Sequence, residues 1–260
     1  MKPTVNFVFT IGYRCYSPNF LKKYDLRRMS GPFDFLIVDL ETSLKIINNK
    51  FDDYLCDIVS FHKDDQDIQL FYKKNTTEIK NKIHELIKNN IGYMADSYNH
   101  RTLWFNQNYL DDKLSENQYN WNTICSFHHH DVTDSTIYAT LQRRYERFNS
   151  ILSKYAETTA LFYITKIVNC QNIVEYMNNI SEIKRKNNIR SFLIIIINSD
   201  NLDDNEYYNE LDKCLFVIKK VEDYETQYNK YITDNNLDYE KEFKVISKYF
   251  TFDLIEKDNI

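Results

Sequence analysis

The sequence contains very little glycine and proline, with three residues of each in a chain of 260. Its most frequent residues include asparagine, lysine, isoleucine and tyrosine, whose codons are A/T-rich, and this bias indicates an A/T-rich genome. Where glycine and proline are rare, the positions that keep them are expected to need a positive or a fixed φ. Five of the six lie between Pro3 and Pro32, so special backbone geometry is predicted there.

Features that define several classes of protein are also missing. No apolar run approaches the ~20 residues that a membrane helix needs, and the net charge of −5 gives no general positive field. We therefore expect no membrane association and no dedicated nucleic-acid binding. The five cysteines are widely spaced without a C-x-x-C pair, which indicates neither a disulfide scaffold nor a zinc cluster. A reducing compartment is expected, which is the cytoplasm, or the host cytoplasm or virion if the gene is viral.

The sequence gives no sign of a cofactor. It has no P-loop, no glycine-rich dinucleotide turn and no Gly-x-Ser-x-Gly elbow. Cys125, His128 and His130 could together hold a metal, but their spacing is not that of common zinc sites. We therefore expect neither a cofactor nor a metal.

Alternating strand and helix patterns predict an α/β fold. Val5, Phe7 and Phe9 alternate in a first strand that ends at Gly12, and an amphipathic helix is predicted from Ile137 to Leu152. The regular elements that follow are a strand at 159–165, a helix at 172–187, and strands at 191–198 and 214–221. Such β-α-β units imply a mostly parallel sheet in a three-layer, Rossmann-like arrangement.

The remaining segments are less regular. Helices are predicted from Tyr16 with Pro18 in the first turn, from Glu41 or Thr42, and from Thr77. Residues 91–121 are predicted to be irregular and rich in aromatic contacts. We expect one α/β domain over residues 1–221 and a C-terminal helical extension, residues 222–260, packed on the same domain.

Cys15 is the first candidate for chemistry. It follows the predicted first strand and precedes the predicted helix, so its sulfur is expected near the positive end of a helix dipole. Arg14 beside it also favours the thiolate, which makes Cys15 a credible nucleophile. The alternative is a small buried residue that fills the end of a strand.

The segment 26–35, LRRMSGPFDF, is the most distinctive in the chain. Ser-Gly-Pro predicts a tight turn, and Asp34 lies between two phenylalanines, where a carboxylate needs a partner. Arg27 or Arg28 is the nearest candidate partner. Asp34 could accept backbone N–H groups in a structural turn, which the residues by themselves favour, or it could orient a histidine or bind a substrate hydroxyl.

Three consecutive histidines, 128–130, precede Asp131 at the end of a short predicted strand. Alternation places His128 and His130 on one face and His129 on the other. A neutral imidazole here could act as a general base toward Cys15, oriented by Asp131 or Asp34. The alternative is partly buried histidines that are hydrogen-bonded to backbone.

Six of the nine arginines lie in two short segments, 14–28 and 143–147. Arg143 and Arg147 are one helical turn apart and could bind a phosphate or a carboxylate. Arg14 and Arg27 are further candidates for substrate binding. The ordinary alternative for the helical pair is a solvated face.

These motifs together resemble a known family. The sequence FTIGYRC at 9–15, the segment 26–35 and FDDYL at 51–55 look like the N-terminal signature of putative papain-like cysteine peptidases, an uncharacterised family of bacteria and large DNA viruses. His130 and Asp131, the helix at 138–152 and the strand at 160–164 are similar to that family's second block. The resemblance covers roughly residues 5–165.

The resemblance implies that Cys15 is the nucleophile, His130 the base, and Asp131 or Asp34 the residue that orients it. The substrate would be a peptide or a small molecule with a related acyl bond, and the oligomeric state is not indicated. The papain pattern has a glutamine shortly before its cysteine, whereas residues 1–15 contain none, which leaves the oxyanion donor unassigned.

Two other functions are consistent with the residues. One is a transferase that handles a glycan or a nucleotide-sugar on a Rossmann-like sheet, with the arginines binding phosphate and Asp34 binding a sugar hydroxyl. The other is a non-catalytic interaction module, whose contacts would come from the tyrosine-rich segment 93–121.

Overall fold

The chain has a mixed α/β fold with a mostly parallel sheet, as predicted. The computed structural model describes residues 2–12, 16–34, 36–38, 40–50, 58–62, 68–71, 100–104, 125–127, 134–167, 172–221 and 238–256. Within these ranges the helices are α1 (Tyr16–Lys23), α2 (Leu40–Asn48), α3 (Ser135–Tyr155), α4 (Ile173–Lys186) and α5 (Glu240–Tyr249). The strands are β1 (Thr4–Val5), β2 (Phe7–Thr10), β3 (Leu36–Ile37), β4 (Ile58–His62), β5 (Ile68–Phe71), β6 (His100–Trp104), β7 (Cys125–Phe127), β8 (Thr159–Ile167), β9 (Phe192–Ser199), β10 (Asn205–Asn209), β11 (Cys214–Lys220) and β12 (Thr251–Phe252).

The parallel sheet has the strand order β10-β11-β9-β8-β2. Strands β2, β8, β9 and β11 run parallel, and β10 pairs antiparallel with β11 at the edge. The predicted strands at 159–165, 191–198 and 214–221 are confirmed as β8, β9 and β11, and the helix at 172–187 as α4. Every residue of β9 is buried, which explains its continuous apolar run, because a central parallel strand is covered on both faces.

The amphipathic helix predicted over 137–152 is confirmed as α3. It begins after Asp134, whose carboxylate accepts the N–H groups of Thr136 and Ile137 at 2.7 and 3.1 Å. Its buried face includes Phe148, whose ring packs edge-on against Phe9 of β2 with centroids 4.8 Å apart. No helix in the described ranges has the length and apolar character needed to cross a lipid bilayer.

A second sheet is the main feature that the sequence patterns did not predict. It is antiparallel, with the order β3-β7-β6-β4-β5. The prediction that residues 91–121 are irregular is wrong at His100–Trp104, which form β6. These strands are short, and apart from the neighbouring strands β4 and β5 their partners are remote in sequence, so local residue preferences carry little information about them. The helix predicted from Thr77 lies outside the described residues.

The described C-terminal residues pack on the same core. Ile246 and Phe250 are buried, and Phe243 stacks on Tyr24 with ring centroids 4.4 Å apart. Strand β12 pairs in parallel with β1 at the N-terminus. The two ends of the described chain are therefore held together by backbone hydrogen bonds.

Three helices end in a left-handed residue that is not glycine. Asp25, Lys50 and Asn188 have φ of 54°, 51° and 52° at the ends of α1, α2 and α4. The hydrogen bonds Leu26 N–H to Leu21 O and Ile189 N–H to Lys184 O are those of the Schellman motif, in which glycine usually takes the left-handed position. A side chain at such a position costs about 1 kcal/mol or slightly more. The shortage of glycine therefore leaves small strains at the helix ends.

We expect Lys50→Gly to raise the free energy of unfolding by about 0.5–1 kcal/mol, because the left-handed strain is relieved while the unfolded chain gains some freedom. Lys50 is exposed, so little packing is lost. Urea denaturation of the purified protein measures the change. Lys50→Ala is the matched control, since it shortens the side chain and keeps the strain; equal stabilities of the two variants would contradict the explanation.

Candidate functional site

A hydrogen-bonded cluster around Asp34 lies at the carboxyl end of β2. Asp34 is 3% exposed. One carboxylate oxygen accepts the hydroxyl of Thr10 at 2.5 Å, and the other accepts Nη2 of Arg27 at 2.6 Å and the N–H of Gly31 at 3.1 Å. The prediction that an arginine of this segment partners Asp34 is thus confirmed for Arg27. The buried charge is neutralised and hydrogen-bonded at both oxygens.

The Ser-Gly-Pro turn is fixed from two sides by arginines. Arg27 donates to the hydroxyl of Ser30 at 2.9 Å, and Arg147 of α3 donates to the Ser30 carbonyl at 2.6 Å. Gly31 allows the turn to lie against β2, since a Cβ at this position would be 3.2 Å from the ring of Phe9. The turn therefore joins the segment after α1 to both β2 and α3.

The two arginines of the predicted helical pair have different surroundings. Arg147 is half-buried against the turn, and its pKa is lowered by burial and by the charge of Arg144, an effect that Asp34 opposes. Arg143 is exposed and donates to the hydroxyl of Thr140 at 3.0 Å. The structure therefore brings Arg27, Asp34 and Arg147 together and places Arg143 apart from them.

Two residues of this cluster were not found from the sequence. Thr10 is the last residue of β2, and the position of a hydroxyl at a strand end was its only signal. Arg144 lies one helical turn before Arg147, and the density of arginine in 143–147 pointed to the segment without distinguishing its members.

Gly12 controls the path of the chain from β2 toward α1. Its φ is +117°, and a Cβ there would lie 2.3 Å from Cγ1 and 3.0 Å from the carbonyl oxygen of Val38. Ser43 of α2 donates to the carbonyl of Ile11 at 2.5 Å, so α2 fixes the same turn. The expectation that a retained glycine answers a need for positive φ is confirmed here.

Residue 15 directly precedes the first residue of α1. The first turn of α1 has no acidic residue, and its last turn carries Lys22 and Lys23, so no carboxylate of this helix neutralises its positive end. A thiol just before such a helix has a lowered pKa. Cys15 and Arg14 themselves lie outside the described residues.

The described residues that flank the histidines approach the same part of the chain. Strand β7 ends at Phe127, which pairs with Leu36 of β3, and Gly12 contacts Val38 two residues further along. At ~3.3 Å per extended residue, Leu36 and Val38 are about 7 Å apart. The segments that carry Cys15 and the histidines thus begin near each other. His128, His129, His130 and Asp131 lie outside the described residues.

Cys214 has the character of a structural cysteine. It is fully buried in β11, and burial raises the pKa of its thiol to about 11. We therefore expect it to be protonated and unreactive at neutral pH.

A cavity lined by described residues lies away from the Asp34 cluster. Its volume is about 500 Å³, and it is found near the amino ends of β8 and β9. Among its lining residues are Lys50, Asn149, Ala156, Asn188 and Ser191. Gly12, which follows the carboxyl end of β2, is at the opposite edge of the parallel sheet, so this cavity is not part of the candidate site.

A family model described as "Putative papain-like cysteine peptidase (DUF1796)" matches residues 6–201. The chain belongs to this family. The match covers β2, the Asp34 cluster, α3 and β9. It therefore includes the segment that carries Cys15 and the segment that carries the three histidines. Comparisons with curated proteins and with solved structures give no match.

We expect Gly12→Ala to lower the free energy of unfolding by about 3 kcal/mol or more, because it combines a disfavoured φ with a clash against Val38. Thermal or urea denaturation measures the loss. Gly31→Ala is the control, since the atom nearest to the added Cβ is in the ring of Phe9 at 3.2 Å, a milder contact than that with Val38, and no left-handed φ is involved. A Gly31→Ala loss as large as that of Gly12→Ala would show that the geometry at Gly12 is not limiting.

We expect Asp34→Asn to cost about 2–4 kcal/mol, because the neutral amide leaves the partly buried Arg27 without its counter-charge and disturbs three hydrogen bonds. Asp25→Asn is a matched control: it removes an exposed carboxylate that pairs with Arg28, and asparagine tolerates the left-handed φ of that residue. The control should change the denaturation midpoint far less. Equal losses would contradict a central role for the buried pair.

Proposed function

We propose that this member of the papain-like cysteine peptidase family is a cysteine-dependent hydrolase with Cys15 as its nucleophile. Its substrate is a peptide or a small molecule with a related acyl bond. The observation that carries the proposal is the turn at Gly12, which delivers the chain from the carboxyl end of β2 to the amino end of α1. In open α/β sheets the carboxyl ends of the strands form the edge where ligands bind.

The proposed architecture around this edge is the three-layer, Rossmann-like one expected from the sequence. Phe9 of β2 contacts Phe148 of α3, whereas Phe162 of β8 stacks on Phe20 of α1 at 5.1 Å. Phe9 pairs with Leu161, the neighbour of Phe162 along β8, and neighbouring residues of a strand point to opposite faces. These contacts support helices on both faces of the sheet.

In the proposed mechanism His130 accepts the proton of the Cys15 thiol, and the thiolate attacks the carbonyl carbon of the substrate. The tetrahedral intermediate collapses as the imidazolium returns the proton to the leaving group, which leaves an acyl-enzyme. A water then gives a proton to the imidazole and attacks the thioester carbon. The C–S bond breaks, the acid product leaves, and the Cys15 thiolate is restored beside the protonated imidazole. Backbone N–H groups at the start of α1 would stabilise the oxyanion.

Asp131 is the better candidate for the residue that orients His130. Both oxygens of Asp34 already accept hydrogen bonds, from Thr10 on one side and from Arg27 and Gly31 on the other. We therefore assign Asp34 and Arg27 to holding the turn. Phe127 pairs with Leu36 of β3 and Gly12 lies against Val38, just after β3, and this proximity supports a meeting of the cysteine and histidine segments.

The labelling rate of Cys15 with iodoacetamide as a function of pH tests this proposal, with mass mapping to separate the cysteines. We expect a half-maximal rate for Cys15 below pH ~7.5, because helix dipole and imidazolium both stabilise the thiolate. Cys214, with a pKa of about 11, is an internal reference and should stay unlabelled at neutral pH.

Histidine variants make the same experiment specific. His130→Ala should move the Cys15 midpoint toward the ordinary thiol value of ~8.5, because the ion-pair partner is lost. His129→Ala is the matched control, since alternation places it on the other face. A wild-type midpoint near 8.5, or a profile that His130→Ala leaves unchanged, would sink the hydrolase proposal. The transferase, the interaction module and the cytoplasmic location stay predictions from the sequence.

A further inference from the structure

Within the described residues, two guanidinium N–H groups on α3 are buried without a hydrogen-bond partner. They are Nη1 of Arg144 and Nε of Arg147, and neither has a partner in the part of the chain that the structure describes. A charged donor that has lost its water and gained no acceptor is costly, so folded proteins rarely leave one in this state. The two groups lie one helical turn apart, so an acceptor between them could satisfy both.

The charge balance of this region favours an anion. Arg27 and Arg147 bring two positive charges to the turn, and the charges of Arg144 and Asp34 both act on Arg147. Asp34 is committed to the contacts described above. Burial and the repulsion by Arg144 both lower the pKa of Arg147, and a bound anion would relieve the repulsion.

A small cleft gives access to Arg144. It has a volume of about 100 Å³, several times the ~10–15 Å³ that one water requires. Its described lining consists of Thr136, Ile137, Thr140, Leu141 and Arg144, none of which is acidic. The cleft thus has room for a single anionic group beside Arg144, among residues that include two threonines.

Nearby charges on α3 do not satisfy the two groups. The carboxylate of Asp134 accepts the first N–H groups of the helix, and Glu146 is exposed. Arg143 is exposed as well and bonds to Thr140. The two buried donors are therefore distinct from the ordinary solvated charges of the same helix.

The position of the pair connects it with the candidate site. Arg147 bonds to Ser30 in the turn whose Asp34 holds the end of β2. Arg144 lies one turn closer to the amino end of α3, and that end follows directly on the histidine segment. An anion bound there is next to the edge at which the proposed reaction takes place.

We propose that Arg144 and Arg147 bind an oxyanion, and that this oxyanion is a carboxylate or phosphate group of the substrate. The second part rests on the proposed function, whereas the binding of an anion does not. The contacts are charge-assisted hydrogen bonds from Nη1 of Arg144 and Nε of Arg147, and the planar guanidinium matches either group geometrically. Arg144 is thereby a specificity-determining residue.

Titration calorimetry with inorganic phosphate and with acetate, against sodium chloride at equal ionic strength, tests the site on the full-length protein. We expect saturable binding of at least one of the two anions. Arg144→Gln should weaken anion binding at least about tenfold, because one charge-assisted hydrogen bond is lost. Arg144→Lys should have an affinity between those of the wild type and Arg144→Gln, because lysine keeps the charge but lacks the planar guanidinium. Arg143→Gln, the matched control, should stay within about twofold, since an exposed charge contributes little.

Tighter binding of phosphate identifies a phosphoryl group in the substrate, and tighter binding of acetate identifies a carboxylate. Binding of neither, or equal weakening by Arg143→Gln and Arg144→Gln, would overturn the site. Melting temperatures without anion show that each variant is folded. The wild-type labelling profile of Cys15 is an independent readout. If Cys15 labels like an ordinary thiol while the anion still binds, only the hydrolase proposal is rejected. If Cys15 is activated and no anion binds, only the anion site is rejected.

Discussion

The buried carboxylate of Asp34 is the interaction on which the geometry of the candidate site depends. A carboxylate that is 3% exposed is tolerated only when its charge is paired and its oxygens are hydrogen-bonded. Here the donors come from three places: Thr10 at the end of β2, Arg27 after α1, and Gly31 in the turn itself. If any of these donors moved away, the buried carboxylate would lose a hydrogen bond that water cannot replace. The strand end and the turn are therefore fixed together.

This constraint extends from the turn to the elements that carry the proposed chemistry. Arg147 links the turn to α3, and Gly12 lies two residues after Thr10, wedged against Val38. The described parts of the N-terminal signature and of the second block that resemble the family are therefore connected by polar contacts and by packing as well as by the sheet. A reactive residue on a short loop needs rigid neighbours, because the elements at the two ends of the loop determine its position.

The sequence predicted those features that depend on local pattern. The apolar run of β9, the helical period of α3 and the need of Asp34 for an arginine are properties of neighbouring residues, and the structure confirms each of them. The antiparallel sheet was missed because its strands are short and all of its pairs except β4–β5 join strands that are far apart along the chain. Arg144 was missed for another reason. Arg143, Arg144 and Arg147 lie close together on one helix, and only the packing of that helix shows which of their N–H groups are buried.

The bias against glycine explains why one retained glycine is informative. Lys50, Asp25 and Asn188 adopt φ near 50°, a region that side chains can enter at a cost of about 1–2 kcal/mol, so substitution of glycine is tolerated there. Gly12 has φ of +117° and no room for a Cβ, a combination that no side chain satisfies without rearrangement. A mutational bias against glycine would therefore replace it at the helix ends, where a side chain is tolerated. The glycine would be kept where the chain turns from β2 toward Cys15, because replacement there is too costly. In this composition the surviving Gly12 marks a position at which the cost of replacement exceeds what the fold can absorb.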